Sequence, residues 1–191
     1  AEAEEQLRTA VSVGAAKAVL VPIDGQDWDP QRTASAIASV VNELEGANGP
    51  FDLILFGNES ADSCGYQVGV RAALKLSRPM VNGAKGIEID GTSAKIRRES
   101  DAGQDIYVLP MPAAVGVKEG INLPRYPTMK GRLASKKVEV SRTEATASVG
   151  GLKMIQLQRP PERASNTQIL GTGPEAASAI VDLLEELGVF K

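Results

Sequence analysis

The stretch that most limits what this chain can fold into is Phe51-Asp52-Leu53-Ile54-Leu55-Phe56, which stops at Gly57 and passes through Asn58-Glu59-Ser60-Ala61-Asp62-Ser63-Cys64 into Gly65-Tyr66-Gln67-Val68-Gly69. It reads as a buried strand, a loop of small residues and the start of a helix. In an α/β protein that order gathers free backbone N–H groups and the positive end of a helix dipole at one point, which is where such proteins hold phosphates. The same residues also describe an ordinary strand-to-helix turn with glycines for tight geometry. The stretch alone leaves the two readings level.

The flanking sequence supplies a rhythm. Ala3, Leu7, Ala10 and Val11 fall at helical spacing between Ala1 and Val13, with Glu2, Glu4 and Glu5 in the first turn and Gly14 as a stop. Ala16 to Pro22 reads as a strand, and Asp24 to Asp29 as a polar loop carrying the single tryptophan, Trp28. Asp29 and Pro30 form an N-cap and N1 pair for a helix to about Glu45, whose apolar face is Ala34, Ile37, Ala38, Val41 and Leu44; Gly46 to Pro50 ends it. After the Gly57 loop, a helix from about Gly65 to Leu76 aligns Val68, Ala72 and Leu76. Helix, strand, helix, strand, helix is the order of a parallel sheet covered by helices, so the expected class is α/β: a doubly wound, mostly parallel, Rossmann-like sheet.

From Pro79 the pattern shortens. Ile87-Glu88-Ile89, Lys95 to Glu99 and Asp105 to Leu109 alternate, with turn chemistry at Asp90-Gly91-Thr92 and Asp101-Ala102-Gly103, and predict an antiparallel insertion. Ala113-Val115-Val117 can return to the main sheet. Gly120 to Gly131 holds Pro124, Pro127 and two glycines and reads as an exposed loop; Leu133 to Val140 follows as a short helix running into a strand. Thr143 to Gly151 is a connector, Lys153 to Leu157 a strand, and Arg159-Pro160-Pro161-Glu162-Arg163 a stiff linker. The last helix is opened by Thr172-Gly173-Pro174-Glu175, is expected to bury Ala177, Ile180, Val181, Leu184 and Leu187, and closes at Gly188.

Several chemistries are excluded by composition. There is no histidine among the 191 residues, which removes Ser-His-Asp and Cys-His nucleophile pairs and the usual zinc sites. The lone Cys64 has no general base at hand and is expected to be a small, partly buried structural residue in a reducing compartment. A net charge of -3 points to neither a nucleic-acid nor a membrane-surface partner. No apolar run approaches the roughly 20 residues that span a bilayer, so no membrane insertion is expected.

Two motifs carry competing readings. Gly171-Thr172-Gly173-Pro174-Glu175-Ala176 matches G-x-G-x-x-A, but too little chain follows to complete a βαβ unit, so helix capping is preferred. Arg125, Lys130, Arg132, Lys136 and Lys137 either steer an acidic partner or form a solvated face, and Met129 in their midst is either tucked in or an anchor for another protein. Glu99, after Arg97 and Arg98, reads by default as a surface ion-pair partner.

Taken together these residues resemble the β subunit of the electron-transferring flavoproteins. Gly57 to Gly69 is similar to that family's adenine-nucleotide loop, in which a glycine ends the strand and an Asp precedes Gln-Val/Thr-Gly. Asn122-Leu123-Pro124-Arg125-Tyr126-Pro127-Thr128-Met129 resembles the family's Asn-x-Pro-Arg-Tyr-x-Thr/Ser-Leu stretch, and Arg98-Glu99 with Asp101-Ala102-Gly103 its Arg-Glu before an acidic-glycine turn. Pro112-Ala113-Ala114-Val115 matches its Pro-Ala-Val. The order and spacing of the motifs carry the likeness over essentially the whole chain. It also implies further residues ahead of Ala1 that hold the first strands of the sheet, so that the sequence is expected to be N-terminally incomplete.

The resemblance implies a heterodimer with an α subunit that holds the redox-active FAD. The β subunit is then an electron carrier and not an enzyme; it binds a structural AMP through Gly57, Asn58, Glu59, Ser60, Ala61, Asp62, Ser63, Cys64, Gly65, Tyr66, Gln67 and Val68. Pro124, Arg125, Tyr126 and Met129 dock acyl-CoA and related dehydrogenases of fatty acid oxidation, with Met129 where the family has leucine, and Glu99 helps control motion of the flavin domain. Electrons leave to a membrane quinone reductase, the electron-transferring flavoprotein-quinone oxidoreductase. The implied location is the cytoplasm of a bacterium or the mitochondrial matrix. Residues 1–140 are expected to form the nucleotide-binding domain, with the hairpin insertion at about 85–110 and the docking loop at about 117–139, and 141–191 an extension whose helix packs on the α subunit. Alternatives are a stand-alone adenine-nucleotide module, an ATP pyrophosphatase-like enzyme, and a bifurcating relative with a second FAD in this site; absence of the Pro that follows Gln-Val-Gly in the last group favours AMP.

Overall fold

The computed structural model describes residues 2–23, 28–61, 63–147, 150–161 and 167–189. In chain order these form α1 (Glu2–Ser12), β1 (Ala18–Leu20), α2 (Pro30–Asn48), β2 (Leu53–Gly57), α3 (Val68–Lys75), β3 (Met80–Asp90), β4 (Ser93–Ser100), β5 (Gly103–Pro110), β6 (Ala113–Val117), α4 (Met129–Lys137), β7 (Val140–Arg142) and, after a 3-10 turn at Gly173–Glu175, α5 (Ala176–Glu186). The architecture is mixed α/β, with an open five-stranded sheet in the order β2-β6-β3-β4-β5 and a separate parallel pair β1-β7. β2, β6 and β3 run parallel; β4 and β5 extend the sheet antiparallel. The mostly parallel α/β sheet expected from the helix-strand rhythm is therefore present, and Ala113 to Val117 does return to it as β6, between β2 and β3.

β3 is where the two halves of the sheet join. Met80, Val81 and Ala84 pair with β6, whereas Ala84 and Gly86 to Asp90 pair with β4, with irregular register on both sides of Ala84. The sequence reading recognised only Ile87 to Ile89 of this strand. Asn82, Gly83 and Gly86 interrupt the alternation that marks a strand, and they are the residues where the register shifts.

The sheet core is built on Val81, Ala84, Ala94, Ile96 and Val115, with Leu53, Ile87, Tyr107, Leu109, Met111 and Val117 packed around it. Its bulkiest fully buried side chains are Ile96 and Val115; most other buried positions are alanines. Such small side chains let helices approach closely, and α2 packs along α3 with Ala34, Ala36 and Ala38 of one and Ala72 and Ala73 of the other buried. Glu45 ties the end of α2 to the next strand, accepting from Phe51 N at 3.0 Å and from Arg78 Nη2 at 2.5 Å.

Several boundaries differ from expectation. α2 continues through Gly46 to Asn48 and stops at Gly49, whose φ of 86° is the left-handed exit. α3 starts at Val68, not Gly65, because Cys64 to Gln67 spend their hydrogen bonds within tight turns. α4 starts at Met129, so the exposed loop ends at Thr128, whose hydroxyl accepts from Gly131 N at 3.0 Å as an N-cap. Lys153 to Leu157 forms no strand; Met154, Ile155 and Leu157 are exposed.

Contacts divide the chain into Ala1–Lys153 and Met154–Lys191. In the second unit α5 forms as expected, but its apolar side is not buried: Ile180, Val181 and Leu187 are exposed. Periodicity reports which residues share a side, not what covers it. No described helix is long and apolar enough to cross a membrane. The polar loop at 24–27, Ser148 and Val149 of the connector and the linker residues Glu162 and Arg163 lie outside the described residues.

Candidate functional site

A cavity of about 740 Å³ opens where β2 ends and α3 begins. Of the expected nucleotide loop, Gly57, Asn58, Glu59, Ser60, Ser63, Cys64, Gly65, Tyr66, Gln67 and Val68 line it, Ala61 does not, and Asp62 lies outside the described residues. The volume is that of a small-molecule site. The walls also include Trp28, Pro30, Thr33, Asn82 and Leu152, which sequence reasoning missed. They come from three distant segments, and only the packing of α2 on α3 and the position of β3 bring them there.

The loop is held by its own small polar groups. Cys64 N donates to Ser60 O at 3.0 Å, Tyr66 N to Cys64 O at 2.9 Å and Gln67 N to Gly65 O at 2.7 Å. The Ser60 and Ser63 hydroxyls lie 2.6 Å apart. Cys64 is exposed rather than partly buried, and its φ of 50° places it in the left-handed region. Its function here is a sharp turn at the cavity wall, which a hydrophobic reading of a cysteine does not anticipate.

Two features of this wall suit a ligand. No side chain caps α3, so the N–H groups of its first turn, at Val68, Gly69 and Val70, face outward with the helix dipole behind them. Asn58 Oδ1 is buried and has no hydrogen-bond partner among the described residues. A buried unpaired acceptor is destabilising by about 1–3 kcal/mol, and a donor group on a ligand would relieve it. Gly69 explains how α3 comes so close: a Cβ there would lie 3.0 Å from both Phe56 Cγ and Met80 Cε.

α2 also begins at this cavity, and its start is occupied. The Asp29 carboxylate accepts from Arg32 N at 2.7 Å through Oδ1, and from Gly151 N at 2.7 Å and Leu152 N at 2.8 Å through Oδ2. The bond from Arg32 N, reinforced by those from Leu152 and Gly151 and by the nearby Arg71 charge, holds Asp29 below the usual carboxylate range. Lowering of this kind stabilises the fold at every pH above the unfolded value near 3.9 and is lost only as pH falls through the lower folded value. The clamp is thus intact at neutral and mildly acidic pH.

The expected docking residues lie elsewhere. Leu123, Tyr126 and Met129 are among the most exposed apolar side chains of the first unit, and Pro124 and Arg125 are exposed beside them. Met129 borders a second hollow, of about 640 Å³, with Arg132, Leu133 and Lys136 of α4 and Glu5 and Arg8 of α1. α1 sets the position of α4: Arg8 Nη1 donates to Ser135 O and Val138 O, both at 2.9 Å, and Arg8 Nη2 pairs with Glu4 at 3.0 Å. These bonds satisfy carbonyls at the C-terminal end of α4, where a cation also suits the dipole.

At Gly131 the two helices approach closely. A Cβ there would press directly on the Ser12 carbonyl oxygen. Gly131→Ala is therefore expected to shift α4 off α1 and lower stability by about 1–3 kcal/mol, in spite of alanine's better helix propensity. Denaturant melts beside those of Gly46→Ala, a helical glycine with open space around it, check this: equal stability of the two variants would refute the close contact.

Glu99 is exposed at the end of β4, opposite Gln104, and makes no ion pair among the described residues. The default surface pair is made by its neighbour: Arg98 holds Asp105 at 2.8 Å and stacks over Tyr107 at 5.1 Å. Asp105 is lowered mainly by the hydrogen bond from Arg98, and Ser100 Oγ and Tyr107 Oη donate to it as well. The structure brings most of the loop from Gly57 to Val68 together as one cavity wall; it keeps Met129 and its neighbours on a different surface.

A family model described as "Electron transfer flavoprotein domain" matches residues 1–148. The chain is 34% identical over 168 residues to the electron transfer flavoprotein subunit beta of Syntrophomonas wolfei, covering 88% of this chain and 64% of that one. To the subunit beta of Bacillus subtilis it is 30% identical, covering 96% and 73%, and to that of Homo sapiens 27% identical, covering 98% and 72%. The chain spans about two thirds of the length of these relatives.

Proposed function

Because this chain belongs to the electron transfer flavoprotein β-subunit family, we propose that it is the nucleotide-holding and docking half of a heterodimer through which electrons pass. Its partner is an α subunit, and the flavin carried there supplies the one-electron chemistry. No residue of this chain makes or breaks a covalent bond in that scheme. Dehydrogenases of the acyl-CoA type dock on it, and electrons leave to a membrane quinone reductase.

The observation that carries the reading is the cavity at the β2-α3 junction, with open first-turn amides of α3 and an Asn58 Oδ1 unpaired among the described residues in one wall. The amides suit a phosphate, which backbone N–H groups bind without help from any particular side chain. Asn58 Oδ1 suits an N–H or O–H donor such as an adenine amino or ribose hydroxyl group. The residues present therefore fit AMP, held as a structural element between β2, α3 and the start of α2. Glu99, exposed and without an ion-pair partner among the described residues, fits a role in restraining motion of the flavin-bearing domain. The open apolar side of α5 fits packing on the α subunit.

Mass spectrometry of the nucleotide released on denaturing the purified heterodimer tests the assignment. One AMP per heterodimer in addition to one FAD is expected. Two FAD and no AMP would assign a bifurcating relative, and no adenine nucleotide beyond one FAD would remove the cavity's proposed role.

A further inference from the structure

We propose, resting on that nucleotide reading, that Trp28 and Leu152 form the wall that receives the base, and that Asp29 positions this wall by latching Gly151 and Leu152 to the start of α2. Two helix starts border the cavity, and they differ in one respect. α3 has no side-chain cap, whereas α2 carries its own carboxylate on Arg32 N and has Pro30, without an N–H, as its first residue. A phosphate is drawn to the open α3 end and repelled by Asp29 at the α2 end. The uncharged part of the nucleotide then lies toward Trp28, Pro30 and Leu152, all of which line the same cavity.

The side chains at that end are of the kind a base needs. Arg32 stacks over the Trp28 ring at 4.1 Å, which fixes the indole at the rim. Leu152 is 69% exposed although its backbone is anchored by a 2.8 Å hydrogen bond. An apolar side chain held in the open at the edge of a cavity gains only if something apolar covers it. The anchor depends on glycines: a Cβ at Gly150 would lie 2.6 Å from Asp29 Oδ1, and one at Gly151 2.8 Å from Gln31 Oε1. The glycine pair thus admits the backbone to the Asp29 carboxylate and delivers Leu152 opposite Trp28.

Trp28 is the only tryptophan in the chain, so its fluorescence reports this wall. Titration of the nucleotide-stripped heterodimer with AMP is expected to change the Trp28 signal, identified by its loss in Trp28→Phe, while ribose 5-phosphate, which lacks the base, leaves it unchanged. Stacking on an aromatic side chain sets the scale: Trp28→Ala weakens AMP binding roughly tenfold or more, and ribose 5-phosphate binding hardly at all. Leu152→Ala, an exposed position whose loss leaves folding intact, weakens AMP binding about threefold. Asp29→Asn keeps an acceptor oxygen for Arg32 N but presents an amide to Gly151 N and Leu152 N, so it speeds AMP release and also loses the stability that the ionised clamp supplies. AMP binding that leaves Trp28 fluorescence unchanged, or a ribose 5-phosphate signal as large as that from AMP, overturns the base wall while the nucleotide site stands. AMP affinity unchanged in both Trp28→Ala and Leu152→Ala does the same. Absence of any AMP binding by calorimetry overturns both readings.

Discussion

Met129→Asp is expected, on the docking role proposed for it, to cut electron transfer from partner dehydrogenases by about 30-fold or more, the scale of losing an interface anchor worth 2 kcal/mol or above. The position makes the experiment clean. Met129 is 77% exposed and is the first residue of α4, behind the Thr128 cap. A carboxylate at a helix start is favourable, so the substitution leaves α4 folded or slightly firmer. What changes is the surface offered to a partner: an apolar, adaptable side chain becomes a charge that must lose its water on docking. Steady-state assays over a range of dehydrogenase concentration separate the possibilities. A raised KM for the dehydrogenase with the heterodimer's own flavin spectrum unaltered is the expected pattern; wild-type rates with every dehydrogenase would rule out the anchor.

Ile96→Ala is expected to be the most destabilising single truncation in the sheet, at about 2–5 kcal/mol. Ile96 is fully buried at the middle of β4, between Ile87 on β3 and Tyr107 on β5 in the ladder. The side chains packed with it, among them Val81, Val115, Ile87, Tyr107 and Leu109, are fixed on the same sheet and close only partly over a deleted side chain, so a cavity remains. For a chain of this size each kcal/mol moves the midpoint roughly 2–4 °C, so a fall of about 5–15 °C is anticipated. Ile106→Ala on the neighbouring strand, half exposed at 51%, is the control and should move little. Equal melting of the two variants would mean that the sheet packs through its other side.

Much of the fold was legible because its signals are local. Asp29-Pro30 announced the start of α2, and the structure shows both the cap bond and the proline at N1. Asp90-Gly91 and Ala102-Gly103 marked the two hairpin turns, where Gly91 and Gly103 have positive φ. The strand-loop-helix at Gly57 was visible for the same reason, since strand, small loop and helix start are consecutive in the chain. What was hidden depends on distant pairing. Met80 to Gly86 does not alternate like a strand, yet it becomes one because β6 and β4 both offer it partners. Lys153 to Leu157 has strand composition yet pairs with no strand among the described residues. Trp28, Asn82 and Leu152 belong to the cavity only through tertiary placement, and Asp29, read as a helix cap, accepts two further bonds from residues more than 120 positions away.

β3 is, in mechanical terms, a single beam. Its first part lies beside β6 and carries Asn82 at the wall of the cavity beside α3; its last part carries the hairpin that leads to Glu99. The Arg98 side chain rests against Gly83, where a Cβ would lie 3.4 Å from Arg98 Cδ, so the hairpin also bears on the beam from the side. The beam is bent at Gly83 and shifts register on either side of Ala84, yet it passes from one set of partners to the other within one strand. Because the chain is continuous there, a displacement of the hairpin near Glu99 reaches Asn82 at the cavity wall through that bend.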